Sequence, residues 1–516
     1  MRINQRALND GVKIICDKEL KFFNSALSDC AKITRKIKTQ VEVNSIYGAE
    51  EVMKTGCFFL RFIYRAVFIF LLIVASLGNA TAPQCPEQVF SPFTTIQKGQ
   101  INFLPHYGCV GNLQLSGHLP VNKKQCNDIY CSEHQASLFY WFVASQQDRD
   151  EAPIILWLNG GPGASSFYGF FSENGPYFVT PQGKLRERTY SWNKIAHYLM
   201  IDNPKGVGFS YGKHNNLIKD EKLGAIELYN ALLAFYERYP ELRHNQLYLS
   251  GESYAGKYVA ELAEQISNHN REANASAQIN LRGIMVGDGW VNPLIQQSSV
   301  ADYAYYHGLI DENTYNKVKK LYQLCAHAIR KGALDANNIC MKINDTVAQA
   351  SGVDRHDIRT LAEIDYRPII DYLNKSEVRK AIHVDPRIVR FKLFNDEVSK
   401  NLDLDIQKSA ASTYEQLLNK KIPVLIYNGL DDGTDSNFIG TDLWLKQLNW
   451  PGKKDWDKAI TCKWYNMLTQ DVAGYVRQAH ELTQIKIRGA GHMAPMDQPE
   501  NTLDMIKKFM QKQKWC

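Results

Sequence analysis

The stretch Leu247-Tyr-Leu-Ser-Gly251-Glu-Ser253-Tyr-Ala-Gly256 constrains this chain more than any other part of its sequence. An apolar run ends at Gly251, a serine follows two positions later among small residues, and a helical pattern begins at once. The pattern is of the G-x-S-x-G type, with Ala255 in the last place and Gly256 one beyond it. Small residues at such a junction let a sharp turn hold a serine hydroxyl out past the edge of a sheet. A turn of this kind needs a strand behind it and a helix in front, so the chain must contain strands that alternate with helices.

The rest of the sequence supplies them. Strand-like apolar runs lie at 113–119, 138–143, 154–158, 198–201, 247–249 and 283–286, each ending at Gly, Pro or polar turns. Helical periodicity fills 222–239 and the stretch after Ser253. From about 292 to 419 the pattern turns helical and polar, with helices expected at 307–324 and 377–384. Strand character returns at 422–427 and 484–487, and a helix is expected at 500–514. This order predicts an α/β domain over 83–516: a mostly parallel central sheet, helices on both faces, and a helical cap inserted at about 292–419.

A serine hydroxyl attacks only when a base takes its proton, and the base needs a third group to fix its tautomer. In sheets of this type the order along the chain is serine, acid, histidine. His492 is the candidate base, because Gly489-Ala-Gly-His-Met-Ala-Pro495 follows a strand-like run with glycines that permit a close approach. The acid should leave the strand at 422–427, where Asp431, Asp432 and Asp435 compete in one turn; Asp432 is preferred and Asp431 is second. The strand end Trp157-Leu-Asn159-Gly160-Gly161-Pro162-Gly163 can aim backbone N–H groups at an oxyanion, with the Tyr254 N–H as a second donor.

The 516 residues carry 60 basic and 54 acidic side chains without a long basic block, which argues against a nucleic-acid partner. Residues 53–82 place Lys54, Arg61 and Arg65 before an apolar run at 66–77 and end in Ala80-Thr-Ala82, the three parts of a secretory signal. Residues 1–52 then read as an upstream extension or a mis-assigned start; the rival reading is an uncleaved signal anchor with a cytoplasmic tail. Beyond the signal stand Cys85, Cys109, Cys126, Cys131, Cys325, Cys340, Cys462 and Cys516. An even number suits an oxidising compartment, no pair has metal-finger spacing, and sequence assigns no connectivity. Asn274, Asn344 and Asn374 begin glycosylation tripeptides. No metal or cofactor is implied.

On its ordered motifs the chain resembles the serine carboxypeptidase family. The match is carried by the 157–163 and 489–495 segments, Asp202-Asn-Pro-Lys-Gly-Val-Gly-Phe-Ser210, Gly251-Glu-Ser-Tyr-Ala-Gly-Lys-Tyr258 and Gly287-Asp-Gly-Trp290. The resemblance implies an α/β-hydrolase fold, with Ser253, Asp432 and His492 as catalytic residues and Gly161 and Tyr254 as the oxyanion hole. It further implies that Asn159, Gly160, Glu173 and Glu252 bind the substrate's terminal carboxylate, and that Met493 lines another part of the pocket. The expected substrates are peptide or protein C-termini, cleaved through an acyl-enzyme. A protonated glutamic acid can donate to a carboxylate where an ionised one repels it, so acidic pH is expected to suit the reaction. Expected locations are the lysosome or vacuole, or the extracellular space. No stable membrane association is expected once the signal is cleaved, and a homodimer is one possible assembly. Relatives that transfer acyl groups, act as esterases or serve as protective binding partners define the alternatives. Ala164 stands where the family usually has cysteine, so a disulfide common among relatives is expected to be missing or rearranged.

Overall fold

In the computed structural model the described residues are Cys85 and 98–515, apart from 123–127, 132–134, 213–215, 275–276, 362–363 and 467–468. The leader readings for 1–52 and 53–82 lie outside them. The chain from Cys85 to Cys516 is one compact unit.

Ten strands form its main sheet. They are β1 (Gln114–Pro120), β2 (Ser137–Val143), β3 (Ile154–Leu158), β4 (His197–Ile201), β5 (Leu247–Glu252), β6 (Leu281–Gly287), β7 (Val424–Gly429), β8 (Cys462–Tyr465), β9 (Val472–Ala479) and β10 (Leu482–Ile487). Their order across the sheet is β8-β9-β10-β7-β6-β5-β3-β4-β2-β1. From β10 to β4 every neighbouring pair is parallel, while β8, β9, β2 and β1 pair antiparallel at the two edges.

The central strands read as unbroken apolar runs because both faces of the sheet are covered. On one face Leu156, Leu249, Ile284 and Ile426 pack against α1 (Glu221–Arg238) and α2 (Ala255–Glu272). On the other, Trp157, Tyr248, Met285 and Leu425 share a core with Phe170, Phe171 and, near the C-terminus, Met505 and Ile506. Each large apolar side chain buried this way contributes roughly 1.5–3 kcal/mol. Asp202, in a turn leaving β4, accepts from Ser165 and Phe209, which ties two turns together; burial pushes its carboxyl up to about 7.

Between β6 and β7 the described chain adds helices and no strand to this sheet. The helix expected at 307–324 is instead two, Val300–Tyr306 and α3 (Glu312–Lys331). Gly308 takes a φ of +71° between them, and the Asp311 side chain caps α3 by accepting from Thr314 N–H. α3 and α4 (Ala336–Ser351) share a small core with Val318, Ile343 and Val347 and are joined by the Cys325–Cys340 disulfide. Cys85 pairs with Cys109, and Cys131 and Cys462 are disulfide-bonded as well. Among the described residues no helix is long and apolar enough to cross a membrane.

Candidate active site

β3, β5, β6, β7 and β10 are parallel and consecutive across the sheet, so the turns at their C-terminal ends gather along one edge. Ser253 sits at the turn from β5 into α2 with φ +61°, a left-handed conformation rare for a residue with a Cβ. Such a residue costs about 1–3 kcal/mol and persists only where its surroundings enforce it. Here its N–H donates to the Gly287 carbonyl at 3.0 Å, and its own carbonyl accepts from Gly256 and Trp290, each at 2.9 Å.

The turn leaving β3 abuts the serine turn. A Cβ on Gly160 would lie 2.5 Å from the Tyr254 nitrogen, so only glycine permits this approach. The N–H groups of Gly161 and Tyr254 donate to no protein acceptor among the described residues.

His492 leaves β10 in a loop pinned to the insertion by its own N–H, which donates to the His356 carbonyl at 2.6 Å. A Cβ on the preceding Gly491 would lie 2.3 Å from that same carbonyl oxygen. The His492 Nδ1 lies 2.9 Å from Asp432 Oδ2, and both side chains are buried. Of the three competing aspartates, Asp432 is the one that bonds the imidazole. Asp431 faces Arg359 at 3.5 Å, and Asp435 accepts from Gln297 and Asn344. Burial works against the imidazolium, but the charge and hydrogen bond of Asp432 outweigh it, so the His492 pKa is raised. Burial likewise opposes ionisation of Asp432, and is outweighed by His492 and Thr434, which hold its carboxyl below the ordinary range. With the Nδ1 proton directed at Asp432, Nε2 is left as the basic nitrogen.

Ser253, Tyr254, Asn159, Gly160, Gly161, Glu252, His492 and Met493 line one cavity of about 640 Å³. The carboxylate-binding candidates converge as well. Asn159 Nδ2 donates to Glu173 Oε1 at 3.2 Å and reaches Glu252 Oε1 at 3.5 Å. Glu173 is fully buried one layer behind Glu252 rather than on the cavity wall. Burial is the main cause that raises both carboxyls; the Glu173 charge then lifts Glu252 further, while hydrogen bonds from Glu252 and Asn159 temper Glu173.

The far wall comes from the insertion: Arg355, His356, Tyr366 and Phe394 face the cavity, and the Tyr366 hydroxyl lies 3.3 Å from the Met493 sulfur. No motif announces these residues, since the insertion has neither a strand end nor a glycine-rich turn to mark them. Asp288 was legible as part of Gly287-Asp-Gly-Trp290 but without a role; the structure sets it beside Asp432 and His492, with ligand-type atoms of all three within 4.8 Å of one another.

The three glycosylation tripeptides sit in different surroundings. Asn344 is 5% exposed and its amide donates to Asp435. The Asn374 amide donates to the carbonyls of Ile370 and Phe391 while its oxygen accepts from Phe391 N–H, so that side chain clamps a loop. Asn274 is exposed.

A doubly covered parallel sheet with a strained serine, a histidine and a carboxylate at its strand ends defines an α/β-hydrolase. Within that class the chain belongs to the serine carboxypeptidase family, whose model matches residues 114–512. It is 35% identical over 409 residues to a venom serine carboxypeptidase of Apis mellifera, covering 76% of this chain and 83% of that one. It is 34% identical over 437 residues to the probable serine carboxypeptidase CPVL of Homo sapiens, covering 81% and 88%. The crystal structure of Kex1(delta)p, a prohormone-processing carboxypeptidase from Saccharomyces cerevisiae, shares the fold with a TM-score of 0.72 at 23% identity, over 81% of this chain and 97% of that one.

Proposed function

We propose that this chain removes C-terminal residues from peptides and proteins by way of an acyl-enzyme, with Ser253, His492 and Asp432 as its catalytic residues. His492 Nε2 takes the Ser253 proton as the hydroxyl oxygen attacks the last peptide carbonyl. The Gly161 and Tyr254 N–H groups receive the oxyanion, and His492 returns the proton to the leaving amine. Water then repeats the cycle in reverse and frees the acyl chain. Asp432 holds the imidazole in the productive tautomer and stabilises its charged form.

Asn159, Gly160 and Glu252 meet the terminal carboxylate of the substrate, with Glu173 supporting Glu252 from behind and Met493 contributing to the pocket wall. The observation that carries this reading is the His492–Asp432 hydrogen bond of 2.9 Å beside a cavity lined by Ser253 and Glu252, with Glu173 buried behind it. A proton retained by that pair makes Glu252 a donor to the carboxylate, which favours acidic pH. The bonded state of Cys85, Cys109, Cys131, Cys325, Cys340 and Cys462 supports an exported protein of a lysosome, vacuole or extracellular space. Asn274 is the glycan acceptor this reading keeps.

The test compares a blocked dipeptide with its C-terminal amide. The free acid should be cleaved with the far higher kcat/KM. Equal rates would overturn recognition of the carboxylate.

A further inference from the structure

Asp288 directly follows β6, and β6 lies between the strand that delivers Ser253 and the strand that delivers Asp432. The turn after β6 therefore opens into the same edge of the sheet as the reacting groups, which the serine mechanism leaves without a task. Asp288 is fully buried and takes φ +44°, a conformation that aspartate tolerates better than most residues. Its Oδ1 accepts from Asn428 Nδ2 at 3.2 Å and from Gly429 N–H at 3.1 Å. A carboxyl oxygen of Asp288 also lies within 4.8 Å of one of Asp432 and of an imidazole nitrogen of His492.

Two buried carboxyl groups this close do not both ionise; one of them keeps a proton that it can share with the other. Asp432 already accepts from His492 Nδ1 at 2.9 Å and from Thr434 N–H at 2.8 Å, and it faces the one group here that becomes cationic. Asp288 receives only neutral amide donors. Besides Asp432 and His492, whose Nδ1 is bonded to Asp432, the ionisable groups near it are Glu252 on the β5 side, Tyr427 on β7 and Tyr303 from the insertion, and none of these three supplies a positive charge. Asp432 therefore carries the charge and Asp288 the proton. Burial first, then the Asp432 charge, push the Asp288 carboxyl well above its ordinary range, in agreement.

We propose that Asp288 is a positioning residue: it stays protonated and donates its O–H to Asp432, fixing the carboxylate that orients His492. This rests on the catalytic reading above. Asparagine would reproduce the arrangement, because its Nδ2–H is a neutral donor at the same place.

The test is kcat against pH on a blocked dipeptide for the parent, Asp288→Asn and Asp288→Ala, with Ser253→Ala assayed in parallel. Ser253→Ala tests the catalytic reading by itself: retained turnover would sink that reading whatever Asp288 does. For Asp288→Ala, kcat should fall on the order of 10- to 100-fold, as expected for losing one donor to a buried charge, with KM within about threefold. Asp288→Asn should stay within about threefold of the parent. Its acid limb should superimpose on the parent's, because no negative charge has been removed from beside His492. An equal loss in both variants, or full kcat in Asp288→Ala, would overturn the donor role. An acid limb displaced to lower pH in Asp288→Asn would show that Asp288 is ionised and would also overturn it. Should Asp288→Ala fail to fold, the acid limb and kcat of Asp288→Asn still decide.

Discussion

Glu173 and Glu252 meet across a single amide: Asn159 Nδ2 donates at 3.2 Å to the first and lies 3.5 Å from the second. Burial raises both carboxyls, and Glu173 adds its charge to the forces raising Glu252. A raised pKa means the proton is present at low pH and lost as pH climbs through the raised value. The KM for a peptide with a free C-terminus should therefore increase with pH on the alkaline side. The opposite limb belongs to His492, whose raised pKa means that kcat falls as the imidazole gains its proton on acidification. Replacing Glu252 by glutamine leaves a neutral donor that cannot ionise, so the alkaline increase in KM should flatten. Measuring KM across pH for the parent and Glu252→Gln checks this; identical curves would remove the pair from carboxylate binding.

Asp432 and Asp431 are adjacent in sequence but face different partners. Asp432→Asn should lose on the order of 10⁴-fold in kcat, because the imidazole is then offered the wrong tautomer partner. Asp431→Asn removes only a half-exposed contact to Arg359 and should stay within about threefold. Single-turnover rates on a blocked dipeptide distinguish them, and the reverse ranking would move the acid to Asp431.

Gly491 packs directly against the His356 carbonyl. In Gly491→Ala the new methyl meets the His356 carbonyl at 2.3 Å, so the loop must shift and carry His492 with it. A misplacement near 1 Å costs about 100-fold in kcat. The variant should show that loss together with a lowered melting temperature.

Glycan occupancy, read by peptide mass spectrometry of protein from a secreting eukaryotic host, should be confined to Asn274 among the three tripeptides. The amides of Asn344 and Asn374 are engaged inside the fold. Full occupancy at Asn344 would contradict the packing of α4 against the Asp435 turn.

Ser253 and His492 were legible because each sits in a short glycine-flanked turn at a strand end, and such a turn is encoded by adjacent residues. The acid was less so: three aspartates fit one turn equally well, and only the position of the imidazole separates them. The contact between Glu173 and Glu252 joins a π-helical turn to a strand end and has no local signal. Sequence carries no tertiary partners for a polar tripeptide, so the contacts of the Asn344 and Asn374 amides had no signal in it. Among the strands, the buried parallel ones were found within a few residues, since a run apolar on both faces stands out. β8 and β9 were not. They alternate buried and exposed residues at the antiparallel edge, and Lys463, Tyr475 and Arg477 interrupt any apolar run.

The proposed mechanism requires Ser253 to be an activated nucleophile. Reaction with a fluorophosphonate, followed by mapping of the adduct by mass spectrometry, measures this directly. A single adduct on Ser253, absent from Ser253→Ala and slowed by orders of magnitude in His492→Ala, is the predicted result. Folded protein that takes no label, or takes it on another residue, would contradict the account.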